Sequence, residues 1–217
     1  MQITRSPDHP ITRFVLAPLL FLIGSLSPEI QGLLDRVVKL YGDGASHAAA
    51  FTQTYTPAGF SAARSESGTV WIQTPQRLRF EYAAPEKKVF TYDGIEGRLF
   101  TPADKQLTTR RLSAEDRARL PIVFLTDPGE LDRQYSIQRE TAGGGAARLL
   151  LKPRTQRPDL AWLRVTIADD GSIGGLSYED SSGNRSEFRF ETWRKDKPRP
   201  ASDYKVTGPP GTRVLEN

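Results

Sequence analysis

The sequence predicts a mainly β fold with some α, built as one large antiparallel sheet of about ten strands with two helical elements. Three observations predict it. From Ala49 onward apolar and polar residues alternate with a period of two. Clusters of Asp, Gly, Ser and Asn that favour tight turns recur at short intervals between the alternating runs. Two stretches carry helical spacing instead, one ahead of the sheet and one in its middle.

The chain begins with Arg5 and Arg13 ahead of an apolar run from Phe14 to Leu26, interrupted by Pro18 and Gly24. The run is short for a bilayer span and suits the hydrophobic stretch of a secretory signal. Residues 1–27 are therefore expected to be a signal peptide and 28–217 a single domain. A short buried helix is the alternative, and Pro18 in its middle argues against it. Ser25-Leu26-Ser27 places small residues where cleavage needs them, but Pro28 would follow the cut, so the cleavage point and an uncleaved anchor both stay open. The chain has no cysteine. That excludes disulfides, thiol catalysis, Cys-based metal sites and the cysteine that carries the lipid of a bacterial lipoprotein. A soluble, monomeric mature protein is expected.

The first helix starts at Ser27-Pro28-Glu29, which supplies a cap, a proline at a favoured first position and an acid that complements the helix dipole. Ile30, Leu33, Leu34, Val37, Val38 and Tyr41 then recur at three- and four-residue spacing, and Gly42 and Gly44 end the run. Such a stripe fits a helix packed on the sheet, and equally a movable lid.

Strands are expected around 51–55, 64–74, 77–83, 87–92, 98–101, 106–112, 135–141, 147–152, 161–168, 173–179 and 185–193, with a last short one from Tyr204 to Thr207. Turns are written at Asp93-Gly94, Gly143-Gly144-Gly145, Asp169-Asp170-Gly171 and Ser182-Gly183-Asn184. Ser113-Ala114-Glu115-Asp116 resembles a capping box and opens a short inserted helix through Leu120, followed by Pro121 and the apolar Ile122-Val123-Phe124-Leu125. Asp127-Pro128-Gly129 is expected to terminate it.

The alternation sorts each strand into two faces. Leu78, Phe80 and Tyr82 stand against Arg77, Arg79 and Glu81, and Phe90 and Tyr92 against Lys88 and Thr91. Leu163 and Val165 oppose Arg164 and Thr166, and Phe188 and Phe190 oppose Glu187, Arg189 and Glu191. About ten strands offer more apolar area than two helices can cover. A concave cavity under partial helical lids follows, lined by groups that suit acyl chains; a small barrel with a well-filled core fits the pattern equally.

Several function classes fail on inventory. The net charge of +4 is spread with no basic block, which argues against nucleic-acid binding. The two histidines are His9, inside the expected signal, and His47, which reads as a surface residue. Asp127, Glu130 and Asp132 read as solvated caps near a helix end. GxSxG, HExxH and a phosphate-cradling glycine loop are missing, since Gly143–Gly145 lie between strands. No catalytic residue, metal ligand or cofactor is expected, and the chain is read as not an enzyme.

In order along the chain, Phe51-Thr52-Gln53, then Gly68-Thr69-Val70-Trp71-Ile72-Gln73-Thr74-Pro75, Arg77-Leu78-Arg79-Phe80-Glu81-Tyr82 and Pro85 resemble the LolA family of outer-membrane lipoprotein carriers. Asp93-Gly94, Pro102, Gln106, Leu149-Leu150-Leu151-Lys152-Pro153, Asp180 with Gly183-Asn184, Phe188-Arg189-Phe190 and Pro209-Pro210-Gly211-Thr212-Arg213-Val214 extend the resemblance over nearly all of the mature chain.

The resemblance implies an unclosed antiparallel half β-barrel of ten or eleven strands, covered by the N-terminal amphipathic helix and the short inserted helix. It implies a periplasmic chaperone that takes lipoprotein acyl chains from an inner-membrane ABC transporter to an outer-membrane acceptor. The acyl-chain cavity would be lined by Val70, Ile72, Leu78, Phe80, Tyr82, Phe90, Tyr92, Leu163, Val165, Phe188 and Phe190. Leu33, Leu34, Val37, Val38, Ile122 and Phe124 would face it from the lid. The position that latches the lid holds Thr74, where many members have an arginine, so another donor such as Arg64 is expected to replace it or the lid to be looser. Arg98 stands where the family usually has an aromatic residue. A related half-barrel that binds another lipid, such as a glycolipid, or senses mislocalised lipoproteins in envelope stress is the alternative.

Overall fold

The computed structural model describes residues 26–113, 128–141 and 146–216. The expected signal run, the inserted helix with Ile122 and Phe124, and the triple-glycine turn lie outside the described residues.

Helix α1 spans Pro28–Tyr41, with the Ser27 hydroxyl accepting from the Ile30 amide at 3.4 Å. Strands β1 (Ser46–Thr56), β2 (Arg64–Gln73), β3 (Arg77–Ala84), β4 (Lys88–Tyr92), β5 (Glu96–Thr101) and β6 (Gln106–Arg111) follow as a meander. Helix α2 (Pro128–Gln134) leads into β7 (Tyr135–Thr141), β8 (Ala147–Pro153), β9 (Trp162–Ile167), β10 (Ile173–Glu179) and β11 (Arg185–Phe190). A short β12 (Arg194–Asp196), one 3-10 turn (Ala201–Tyr204) and β13 (Arg213–Glu216) complete the order.

All of these strands join one sheet in the order β13-β6-β5-β4-β3-β2-β1-β11-β10-β9-β8-β7, with β12 also on β1. Among the described residues β7 pairs only with β8 and β13 only with β6, so the sheet is unclosed, as the resemblance implies. The eleven strands expected from alternation are all present. Positive φ at Gly94, Gly171 and Gly183 marks three of the expected turns.

Gly68 shows why its motif needs glycine. The β2–β3 register shifts between Ser67 and Gly68, and a Cβ there would lie 1.9 Å from the Glu81 carbonyl oxygen. The two backbones meet too closely for any side chain.

After β12 the chain becomes a strap across the outer face of the first strands. The Arg199 amide donates to Gln73 Oε1 at 2.8 Å and the Tyr204 hydroxyl donates to the same oxygen at 3.2 Å. Arg79 Nη1 donates to the Asp203 carbonyl at 2.6 Å, and the Val206 amide to Thr91 Oγ1 at 3.3 Å. β13 then pairs with β6 in parallel.

Two expectations are corrected. The last strand is not at Tyr204–Thr207: Tyr204 ends the 3-10 turn, fully buried under the strap, and the strand forms at Arg213. The sequence there alternates, but no neighbouring strand offers it a ladder. Pro128 opens a helix where Asp127-Pro128-Gly129 was expected to end one. A proline at a first helical position with Glu130 in the first turn is a start signal, and here that reading wins.

Candidate functional site

The register aligns the apolar residues into rows across the inner face. One row runs from Ala49 through Val70 and Phe80 to Phe90 and Leu99 over β1 to β5. A second runs Ile72, Leu78, Tyr92 over β2 to β4. A third crosses the other limb from Phe188 through Leu176 and Val165 to Leu149.

Helix α1 packs on these rows. Its Ile30, Leu33, Leu34, Val37 and Tyr41 are buried in one cluster with Val70, Ile72, Leu78, Phe80, Tyr92, Leu163 and Val165, while Val38 is half-buried and not part of it. Tyr82, Phe90, Phe188 and Phe190 are partly buried against the same cluster. The structure therefore places the described residues expected at the cavity, together with Leu33, Leu34 and Val37 of the expected lid but not Val38, in one packed cluster.

Aromatic rings form a continuous chain through this cluster. Phe51 meets Phe80 edge-on at 5.0 Å and Tyr82 at 5.1 Å, and tilts over Phe188 at 6.1 Å. Phe188 stacks on Phe190, which tilts against Trp193 at 5.4 Å, and Trp193 meets Tyr41 edge-on at 5.4 Å. The Tyr82 hydroxyl, pushed up in pKa by burial, donates to Gln53 Oε1 at 2.8 Å. That bond accounts for the Gln of the Phe-x-Gln motif: it keeps the polar tip of Tyr82 satisfied beside apolar rings.

Thr74 is buried and does hold the helix, through its own hydroxyl rather than through a substitute. Its Oγ1 donates to the Tyr41 carbonyl at 2.8 Å and accepts from the Gly44 amide at 3.3 Å. The first of these bonds occupies a carbonyl that the end of a helix leaves without a partner. Arg64 is exposed at the opposite end of β2 and takes no part. Arg98 lies in the outer-face row with Thr91 and pairs with Glu96 at 2.8 Å, away from α1.

Tyr41 is the residue that motif reading undervalues. Its hydroxyl accepts from the Ile173 amide at 3.1 Å, and Trp193 Nε1 donates to the Ile173 carbonyl at 2.7 Å. One residue of β10 is thus gripped by two aromatic side chains, and burial pushes the Tyr41 hydroxyl up in pKa. As the last apolar residue of a helical stripe, Tyr41 carried no sign of a polar partner far along the chain.

His47 is 3% exposed, not a surface residue. Its ring stands edge-on to Tyr41 at 5.0 Å, and its Nε2 lies 3.3 Å from Asp43 Oδ1. Lys195 Nζ reaches Asp43 Oδ2 at 2.5 Å, and the Ala45 amide donates to Asp43 Oδ1 at 2.9 Å. A cleft of about 770 Å³ opens beside this group and is lined also by Lys39, Phe190 and Trp193. Among the described residues no cluster of His, Asp or Glu has the arrangement to hold a metal. No helix among them is long and apolar enough to cross a membrane.

The family model described as outer membrane lipoprotein carrier protein LolA matches residues 44–207. An outer-membrane lipoprotein carrier protein of Xanthomonas campestris pv. campestris (strain B100) is 30% identical over 168 residues, covering 76% of this chain and 79% of the relative. One of Edwardsiella ictaluri (strain 93-146) is 24% identical over 194 residues, covering 89% and 88%. Among solved structures, an uncharacterized conserved protein from Thermus thermophilus superposes with a TM-score of 0.54 at 13% identity, covering 87% of this chain and 99% of that one. MucB superposes at 0.50 and 16% identity, covering 88% and 67%. At such identities these two structures share the fold.

Proposed function

This chain belongs to the LolA family of outer membrane lipoprotein carriers, and we propose that it is a periplasmic, non-catalytic, monomeric carrier of lipoprotein acyl chains. Residues 1–27 serve as its export signal. The inner-face side chains take the place of membrane lipid around the acyl chains, while the donor is an inner-membrane ABC transporter and the recipient an outer-membrane acceptor.

The observation that supports this reading is that an amphipathic helix covers the apolar face of an unclosed sheet. Burying the five core side chains of α1 contributes on the order of 10 kcal/mol at about 2 kcal/mol each. An acyl chain of about 15 methylenes gains roughly 12 kcal/mol on leaving water. The two quantities are of one size, so exchanging helix for cargo is close to balanced. Cargo is then taken up without being trapped.

Depletion of the protein followed by membrane fractionation tests the role. Lipoproteins destined for the outer membrane are expected to accumulate in the inner membrane. An unchanged distribution would overturn the proposal.

A further inference from the structure

Apolar side chains of α1 are buried in the core at both ends, Ile30 and Leu33 at the first and Val37 and Tyr41 at the last, but the polar contacts that tie the two ends to the sheet differ in kind. Its last turn is anchored in buried structure. Thr74 holds the Tyr41 carbonyl, the Ile173 amide holds the Tyr41 hydroxyl, and Trp193 closes on the Tyr41 ring. The Asp170-Gly171 turn also rests on the helix backbone one turn earlier, so closely that a Cβ on Gly171 would lie 2.6 Å from the Arg36 carbonyl oxygen. At the other end, Glu29 in the first turn pairs with Arg139 of β7, an exposed pair with side chains 63% and 44% accessible. Exposed pairs of this kind add little to stability, whereas each buried hydrogen bond at the Tyr41 end leaves a costly orphan when broken.

The partner of Glu29 matters as much as its exposure. β7 is an unpaired edge of the sheet among the described strands. A first turn that lifts from Arg139 uncovers the inner face at that edge, where no further described strand stands in the way.

We infer that α1 opens as a lever, with its fixed end at Tyr41 and its clasp at Glu29–Arg139, and that the acyl chain enters beside β7. This rests on the carrier reading, in which α1 is the cover that cargo displaces. The motion leaves the Thr74 and Ile173 bonds in place and breaks the weakest polar contact first. It also gives a role to the acid in the first helical turn beyond its favourable position near the helix dipole.

The chain has no cysteine, so Glu29→Cys with Arg139→Cys provides a single reversible cross-link across the clasp. Uptake of a fluorescent palmitate analogue is expected to be at least about tenfold slower in the oxidised than in the reduced protein. Glu29→Arg, which sets like charges against each other without a cross-link, is expected to speed uptake, and adding Arg139→Glu to restore it. Spin labels at Gln31 and Arg189 are expected to move apart by about one helical turn, roughly 5 Å, on adding palmitate, while labels at Lys39 and Arg189 hold their distance. Equal movement at both positions, or uptake indifferent to the clasp in protein that binds the probe, would overturn the lever and leave the carrier role standing. Reduced protein and charge variants that are folded by circular dichroism but bind no acyl probe would instead overturn the carrier reading, and the lever with it.

Discussion

The Thr74 hydroxyl donates to the carbonyl of Tyr41 across 33 residues of sequence, at 2.8 Å, and ties the end of β2 to the last turn of the covering helix. Thr74→Val keeps the shape and removes the hydroxyl, leaving both the Tyr41 carbonyl and the Gly44 amide without this partner. The loss is expected to be about 1–3 kcal/mol, read as a lower urea midpoint. Thr74→Ser retains the donor and is expected to recover most of it.

Phe80 and Phe90 lie in one row of the inner face but differ in burial, and their substitutions are expected to separate stability from binding. Phe80 is 6% exposed and edge-on to Phe51, so Phe80→Ala is expected to cost about 3–5 kcal/mol in denaturant titration. Phe90 is half-buried nearer the sheet margin. Phe90→Ser is expected to unfold within about 1 kcal/mol of the parent protein and to bind a fluorescent fatty acid roughly tenfold more weakly.

Gly68→Ala is expected to destabilise by at least about 2 kcal/mol, because the new methyl would meet a backbone oxygen that cannot step aside. Gly174→Ala is the control. A Cβ at Gly174 meets nothing within 4 Å, and its thermal midpoint is expected to stay at the parent value.

The Asp43 carboxyl is held well below the usual carboxylate range by the Lys195 ammonium, then by the Ala45 amide and His47. A carboxyl depressed in the folded state stabilises above its unfolded pKa, near 4, and that contribution disappears as pH falls through the lower folded value. Asp43→Asn is therefore expected to lower the urea midpoint at pH 6, and its gap to the parent protein to narrow progressively as pH falls from 4 towards 2. A constant gap between the two across that range would refute the assignment.

Alternation made the strands legible because most of the long ones turn one face to the core and the other away from it, so a period of two is written along strands such as Arg77–Ala84 and Trp162–Ile167. The start of α1 was equally plain in Ser27-Pro28-Glu29. What stayed hidden depends on partners far apart in sequence. Tyr41 and Trp193 meet only across the folded sheet, and neither has a local pattern that announces Ile173 as their common partner. β13 is exposed at every residue and lies parallel to β6, so it carries no alternation to read. His47 looked like a surface residue because its burial comes from Tyr41 and the Asp43–Lys195 pair, not from its Ala-rich neighbours.

The position of β1 at the centre of the sheet sets the order in which the chain completes itself. β1 is among the first segments made, yet one of its two neighbours is β11, where Phe51 faces Phe190. Until that late strand arrives, half of the sheet has an open edge and the aromatic chain through Phe51, Phe188 and Trp193 has no continuity. A fold of such high contact order closes slowly. A nascent chain therefore stays uncommitted until nearly its full length is available, and truncation ahead of Arg185 should yield no partial fold but a protease-sensitive chain.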